Sequence, residues 1–127
     1  MITEAAIMCL ALNIYHEARG EPVEGQIAVA LVTYNRAIYD SRRNARNVAD
    51  SICPVVYQPR QFSWTSRPTE VTDQGAWRTA IMSARHALRL RDFTGGANHF
   101  HATHTTPYWA ASMMYVGRWG NHYFYRR

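Results

Sequence analysis

The sequence contains no lysine, and all 14 of its basic residues are arginines. Without a lysine, the chain cannot form a Schiff base, bind phosphates through a P-loop lysine or use a lysine as general base. Runs of 18 apolar residues are also absent, so no segment is predicted to span a membrane. Arginine supplies permanent charge and a planar fork of donors, which suits carboxylate and phosphate ligands. The net charge of +5 therefore predicts an anionic partner, such as an acidic polymer, an anionic envelope or nucleic acid.

The length and the small number of cysteines set further limits. The 127 residues correspond to a single domain, 1–127, and 47% hydrophobic residues fit a folded globular protein. Cys9 and Cys53 are too few for a disulfide framework or a CxxC metal site. They could pair once, but we expect both to be small buried hydrophobic residues. The N-terminal segment carries Glu4 instead of a basic region, so we expect no signal peptide.

Hydrophobic periodicity predicts that most of the chain is helical. The expected helices cover residues 4–18, 22–37, 47–52 and 73–92. Thr3 is a favourable N-cap for the first helix, Gly20 is its stop signal, and Pro54 should end the third. Residues 40–46 are predicted to form an exposed basic loop, and residues 55–70 to be irregular.

After Gly95 and Gly96 the pattern changes from helical to extended. We expect an extended segment over 97–102, a short helix over 107–112 and a β-hairpin over 113–125. The chain is therefore predicted to be an α+β domain, mostly helical, with a small hairpin or sheet.

The end of the first helix, YHEARGE over residues 15–21, carries the sharpest candidate for chemistry. On a helical wheel Glu17 lies about 80° from the centre of the buried stripe, at its edge. A carboxyl group there loses hydration, and its pKa should rise, as a general acid for glycosidic cleavage requires. The alternatives are a helix-end carboxylate paired with an arginine for Glu17 and a cap of the second helix for Glu21.

The segment QPRQFSW over residues 58–64 combines aromatic, amide and hydroxyl side chains in a loop. Aromatic faces stack on the C–H faces of sugars, and amides bind sugar hydroxyls, so this composition is typical of a carbohydrate site. The alternative is a loop that Phe62 and Trp64 anchor in the core. The aromatic C-terminal segment, which includes Trp109 and Tyr123, likewise fits either a groove lining or hairpin packing.

Three histidines lie close together in HFHATH, residues 99–104. On an extended strand His99 and His101 share a face and could seat a metal. The sequence lacks an HExxH motif, however, so we expect a structural or substrate-contacting role and no metal.

Three separated blocks of the sequence carry a resemblance to one family. They are IYHEARGEPVEGQIAVALVTYNR (residues 14–36), VVYQPRQFSW (55–64) and GANHFHA (96–102), and PYWA and GNHYFYRR follow. In this order they closely resemble the catalytic domain of spore cortex-lytic enzymes, the SleB/CwlJ-type cell-wall hydrolase family. The resemblance implies a lysozyme-like α+β fold, related to lytic transglycosylases, in an enzyme that degrades peptidoglycan without a cofactor.

The resemblance also implies roles for individual residues. Glu17 matches the catalytic glutamate of the family motif, and Glu21 matches its second glutamate. The expected substrate-binding residues are Tyr15, Glu21, Gln61, Phe62, Ser63, Trp64, His99, His101 and Tyr123. A lytic transglycosylase needs only one carboxylate, whereas hydrolysis becomes possible if Glu21 or Asp73 faces Glu17 across a cleft.

We therefore expect cleavage of the β-1,4 bond between N-acetylmuramic acid and N-acetylglucosamine, which gives 1,6-anhydromuramic ends. The alternatives are a hydrolytic muramidase, a zinc-dependent N-acetylmuramoyl-L-alanine amidase that uses the histidines, and a non-catalytic domain that binds glycan or anionic envelope. Without a peptidoglycan-binding repeat or a signal peptide, the chain looks more like a phage endolysin. Such a protein would be a monomer, made in the cytoplasm and acting on the host wall from the periplasm, with electrostatic contact to the anionic envelope. Nucleic acid is not an expected partner, because the sequence lacks helix-turn-helix and zinc-finger spacings.

Overall fold

The structure of the chain, a computed structural model, describes residues 2–59, 61–67 and 70–127. Its helices are α1 (Glu4–Ala18), α2 (Val23–Arg43), α3 (Val48–Val56) and α4 (Gln74–Ala87). Its strands are β1 (His99–Ala102), β2 (Met114–Trp119) and β3 (His122–Arg126), and short 3-10 segments cover Ser63–Ser66 and Tyr108–Ser112. The predicted α+β fold, mostly helical with a small sheet, is confirmed. None of the described helices is long and apolar enough to cross a membrane.

Local chemistry fixes both ends of α1. The Thr3 hydroxyl accepts a hydrogen bond from the backbone N–H of Ala6 at 3.1 Å, which caps the first turn. Gly20 follows the helix with φ 84°, a left-handed conformation that glycine adopts without steric cost. The predicted bounds of this helix, Glu4–Ala18, are confirmed.

Helix α2 forms the centre of the helical layer, and the other three helices pack against it. It buries Ile27 and Leu31 on one face and Val29 and Val32 on the other. Helix α1 buries one apolar stripe, formed by Ile7, Leu10, Ala11, Ile14 and Ala18. The helical core therefore follows from the apolar pattern of the sequence.

The predicted basic loop over residues 40–46 is wrong at its start, because α2 continues to Arg43. The Asp40 carboxylate accepts hydrogen bonds from Asn44 Nδ2 at 2.9 Å and from Arg46 Nη2 at 2.7 Å. These bonds fold the chain after the helix back onto its last turn, which stabilises the extension.

Helix α3 also differs from the prediction, because it passes through Pro54 and ends at Val56. The two valines after the proline are buried, so their packing outweighs the hydrogen bond that the proline cannot donate. Within the predicted irregular segment 55–70, the described residues after α3 form turns and the first 3-10 segment. Arg60, Pro68 and Thr69 lie outside the described residues.

Helix α4 begins after its N-cap Asp73, as predicted, but ends at Ala87 rather than near Asp92. The Asp92 carboxylate accepts hydrogen bonds from the backbone N–H groups of Thr94 at 2.8 Å and Gly96 at 3.0 Å. Asp92 thus organises a turn, which competes with further helix.

The three strands form an antiparallel sheet in the order β1-β3-β2. A tight turn at Gly120 and Asn121 joins β2 to β3, and Gly120 has φ 61°. A side chain at Gly120 would collide with the carboxylate of Glu21, so the turn needs a glycine for two reasons. The predicted hairpin is confirmed.

Cys9 on α1 and Cys53 on α3 form a disulfide, with their Cα atoms 5.4 Å apart. The prediction that both are unpaired buried residues is therefore wrong. Packing of α1 against α3 brings together two residues that 44 positions separate, which spacing alone does not reveal. A disulfide across such a loop restricts the unfolded chain and typically stabilises a fold by about 2–4 kcal/mol.

The double variant C9A/C53A should lose about 2–4 kcal/mol of unfolding free energy, because its unfolded chain regains conformational freedom. Urea titration without reductant measures the loss. Reductant should lower the urea midpoint of the parent chain and leave that of the double variant unchanged. Equal midpoints for the oxidised parent and the double variant would contradict the stabilising role.

Candidate active site

A cleft of about 570 Å³ opens where the end of α1, the middle of α2 and the sheet meet. It is lined by Glu17, Arg36, Gln61, Phe62, His99, Phe100, His101, Thr105, Pro107, Tyr108, Trp109, Met113 and Arg127. One carboxyl group, several hydrogen-bonding side chains and a set of aromatic rings thus converge in one concave surface. This composition makes the cleft the candidate active site.

Glu17 is half-buried in the last turn of α1, at the edge of the core, as its helical position predicts. Burial raises the pKa of the Glu17 carboxyl group, because the ionised form loses hydration. Among the described residues that line the cleft, Glu17 is the only one with a side-chain carboxyl group. A carboxyl group that keeps its proton to higher pH can serve as a general acid.

Arg36 brings a positive charge into the same cleft. Its Nε donates a hydrogen bond to the Asn98 carbonyl at 2.7 Å, and its Nη1 donates to Gln61 Oε1 at 2.7 Å. Burial and the charge of Arg127 lower the pKa of Arg36 to about 10. Burial and the charges of both arginines lower the pKa of His99 to about 4, so His99 is neutral at physiological pH.

His101 is held in a fixed orientation within the aromatic wall of the cleft. Its Nδ1 lies 2.8 Å from the Ala102 carbonyl oxygen, and its Nε2 lies 2.8 Å from the Tyr125 hydroxyl. Since a carbonyl only accepts, Nδ1 must donate; in the neutral ring Nε2 then accepts from Tyr125. Trp109 contacts the same ring edge-on, with 5.6 Å between ring centroids.

The structure brings five predicted site residues together and leaves five others outside. Those that line the cleft are Glu17, Gln61, Phe62, His99 and His101. Those that do not line it are Tyr15, Glu21, Ser63, Trp64 and Tyr123.

Tyr15 and Trp64 have structural contacts instead. Tyr15 is fully buried, and its hydroxyl accepts hydrogen bonds from the backbone N–H groups of Thr72 at 3.2 Å and Asp73 at 3.0 Å. The Trp64 indole N–H donates to Asn13 Oδ1 at 2.9 Å. Both side chains therefore anchor loops on α1, which for Trp64 is the alternative that the sequence left open.

Glu21 fastens the sheet to the start of α2. Its carboxylate accepts hydrogen bonds from the backbone N–H of Asn121 and, at 3.2 Å, from Asn121 Nδ2. The Nδ1 of His122 lies 3.9 Å from the same carboxylate, and burial lowers the pKa of His122, so this ring is neutral at pH 7. The Asp73 carboxylate likewise has a structural contact, because it caps α4. Neither Glu21 nor Asp73, the two candidates for a second catalytic carboxylate, therefore lines the cleft with Glu17.

Sequence reasoning did not assign Arg36, Tyr108 or Arg127 to the site. Tyr108 is 94% exposed in the 3-10 segment that follows Pro107, at the rim of the cleft. An aromatic residue beside a proline in the quoted PYWA block was a signal that could have found it. The two arginines gave no such signal, because arginines are spread along the whole sequence.

In the part of the chain that the structure describes, no three His, Cys, Asp or Glu side chains converge as metal ligands would. Both ring nitrogens of His101 already have partners, and the two cysteines are bonded to each other. This donor arrangement gives no support to the zinc amidase alternative.

A family model described as Cell Wall Hydrolase matches residues 20–125. The chain is 34% identical over 123 residues to a spore cortex-lytic enzyme of Halalkalibacterium halodurans, and 31% identical over 124 residues to that of Bacillus subtilis. Each alignment covers 93% of this chain, which spans only 34% and 36% of the respective relatives. The family match begins at residue 20 and does not include Glu17, so the assignment of a role to Glu17 rests on its position in the cleft.

Two solved structures match the fold over nearly the whole chain. The catalytic domain of the germination-specific lytic transglycosylase SleB from Bacillus anthracis has a TM-score of 0.75 at 28% identity and covers 98% of this chain and 96% of its own. The SleB catalytic domain from Bacillus cereus has a TM-score of 0.77 at 28% identity, with 99% and 93% covered. The predicted lysozyme-like fold class is thereby confirmed.

Glu17→Gln should stabilise the fold at neutral pH, because it removes a buried charge. When the pKa of a carboxyl group is higher in the folded than in the unfolded state, the protein loses stability as the pH rises from the unfolded-state pKa through the folded-state pKa. The urea midpoints of E17Q and the parent should therefore agree near pH 4 and differ at pH 7, where E17Q is more stable. The matched control is E24Q, which should bring no gain in stability at pH 7, because Glu24 is exposed. If the parent is at least as stable as E17Q at pH 7, the buried charge of Glu17 does not destabilise the fold.

Proposed function

The chain belongs to the cell wall hydrolase family, and on that premise we propose that it is a lytic transglycosylase of peptidoglycan. Its substrate is the glycan strand, cleaved between N-acetylmuramic acid and N-acetylglucosamine to leave 1,6-anhydromuramic ends. The observation that carries this proposal is the single cleft carboxyl group, Glu17, whose pKa burial raises. The likeness to a solved domain described as a lytic transglycosylase supports the same choice.

One carboxyl group is sufficient for the reaction. Glu17 donates its proton to the glycosidic oxygen as the bond from that oxygen to C1 of the muramyl residue breaks. The resulting carboxylate takes the proton of the muramyl C6 hydroxyl, whose oxygen bonds to C1 and closes the anhydro ring. Water is not consumed, and Glu17 recovers the proton that it gave up.

The remaining cleft residues fit a glycan. The Gln61 side chain uses its oxygen to bind Arg36, which leaves its amide N–H groups available to sugar hydroxyls. Tyr108 and Trp109 present aromatic rings that can stack on the C–H faces of a pyranose. A non-catalytic glycan-binding domain would use the same rings, but it would have no need for a buried carboxyl group, which costs stability.

A hydrolytic muramidase has less support. Hydrolases of this kind use a second carboxylate, about 5 to 9.5 Å from the first. Among the described residues, Glu21 is bonded to Asn121 and Asp73 caps α4, and neither lines the cleft. A lone carboxyl group favours attack by the C6 hydroxyl, which the substrate itself supplies.

We place the activity in the cell envelope, where the chain would act on the wall after synthesis in the cytoplasm. The Cys9–Cys53 disulfide supports this location, because structural disulfides persist in oxidising compartments such as the periplasm. The phage role in host lysis, the monomeric state and the contact with anionic envelope stay predictions.

Replacing Glu17 by glutamine should lower the rate of sacculus clearing by at least about a hundredfold, since the general acid is lost. The circular dichroism spectrum should not change, and E24Q, a matched change outside the cleft, should keep the parent rate. Chelation by EDTA should have no effect. Near-full activity of E17Q would refute the mechanism, and loss of activity in EDTA would favour the zinc amidase.

A further inference from the structure

A second cleft, of about 580 Å³, adjoins the cleft of Glu17. The two clefts share Arg36, Gln61, His99 and Arg127. From these shared residues the second cleft extends along α2 past Tyr39 and Arg43. Proton transfer by Glu17 does not need this extension, so its chemistry requires a separate explanation.

Positive charge is concentrated in the second cleft without a matching acid. The hydrogen-bond acceptors of Arg36 are both neutral, a backbone carbonyl and the Gln61 amide, and they occupy only two of its five N–H donors. Arg127 lies close enough to lower the pKa of Arg36, which means that the two cations repel each other. Arg43 adds a third guanidinium group, 3.3 Å from the Tyr39 hydroxyl.

Asp40 has the only side-chain carboxylate among the described residues that line the second cleft. It is already neutralised, because Arg46 donates two hydrogen bonds to Oδ2, at 2.7 and 3.1 Å. Asn44 Nδ2 occupies the other oxygen, Oδ1, at 2.9 Å. No side-chain carboxylate of the described residues in this cleft is left to pair with Arg36 or Arg127, so both guanidinium groups are available to an anion.

We propose that the second cleft is a carboxylate-binding subsite, in which Arg36 and Arg127 hold a carboxylate that the muramyl residue carries through its lactyl group. This inference rests on the proposed function. The carboxylate is the lactyl carboxylate itself on a muramyl residue without a stem, or one belonging to the peptide stem where a stem is joined to the lactyl group as an amide. Arginine forks bind carboxylates through paired, charge-assisted hydrogen bonds, and binding relieves the repulsion between the two cations. Because the subsite adjoins the cleft of Glu17, it orients the muramyl residue whose C1 is attacked.

Arg127→Gln is the variant that tests this subsite, because Arg36 also holds Asn98 and Gln61 and its loss could disturb the fold. The matched control is Arg78→Gln, which removes the same charge from a separate groove on α4. On a glycan strand that carries the recognised carboxylate, R127Q should raise KM about tenfold, as expected for one exposed charge-assisted hydrogen bond, and leave kcat within about twofold. R78Q should change neither constant.

Two modified substrates identify the source of the carboxylate. The first is a strand from which an amidase has removed the stems, which exposes the lactyl carboxylates, and the second is that strand after conversion of these carboxylates to neutral amides. A KM increase on the stem-free strand, but on neither the stem-bearing nor the amidated one, indicates the lactyl carboxylate, because an attached stem converts that carboxylate to an amide. An increase on the stem-bearing and stem-free strands, but not on the amidated one, means that the subsite accepts either carboxylate. An increase on stem-bearing strands alone indicates the stem. Unchanged KM values on all three substrates, or an equal increase on the amidated strand, would overturn the proposal.

Binding without turnover separates this proposal from the proposed function. Calorimetry of soluble muropeptides with E17Q and with E17Q/R127Q repeats the comparison in chains that lack the Glu17 carboxylate. Tighter binding by E17Q supports the subsite even if the activity assay refutes Glu17 as general acid. Equal affinities would overturn the subsite even if Glu17 proves essential.

Discussion

The cleft depends on the hydrogen bonds that hold the three-stranded sheet against α2. Glu17 comes from the helices, whereas His99 and His101 come from β1, so the width of the cleft is the distance between two layers. The first attachment is at Glu21, whose carboxylate accepts hydrogen bonds from the backbone and side-chain N–H groups of Asn121 in the β2–β3 turn.

At a second point, next to the cleft itself, α2 holds the segment that leads into β1. Asn35 Nδ2 donates to the Ala97 carbonyl at 2.8 Å, and Arg36 Nε donates to the Asn98 carbonyl at 2.7 Å. Two points of attachment fix the sheet in orientation as well as in distance. Glu21 therefore holds the sheet in place without lining the cleft.

The site combines two unfavourable electrostatic environments. A carboxyl group is desolvated at Glu17, and guanidinium groups without an acid meet at Arg36 and Arg127. By contrast, Glu4 and Arg85 form an ordinary exposed ion pair, with 3.1 Å between their charged groups. Departures of this kind cost stability and are typical of places where function, not folding, selects the residue.

The features of the fold and of the site that depend on local chemistry could be predicted from the sequence. The Thr3 cap, the Gly20 stop and the helical position of Glu17 depend on neighbours within a few residues, and all three are as predicted. Tyr15 was misread because its partners, the N–H groups of Thr72 and Asp73, are remote in sequence. The disulfide and the shared use of Arg36 by two clefts also depend on tertiary packing, which periodicity does not encode.

Mass spectrometry of the fragments released from purified sacculi tests the central claim most directly. The account predicts muropeptides that end in 1,6-anhydromuramic acid, because Glu17, the only described side-chain carboxyl group in the cleft, activates the C6 hydroxyl of the substrate. Reducing muramic ends would mean that water is the nucleophile, and free peptide stems would mean that an amide is the bond cleaved. Either result, in place of the anhydro product, would contradict the account.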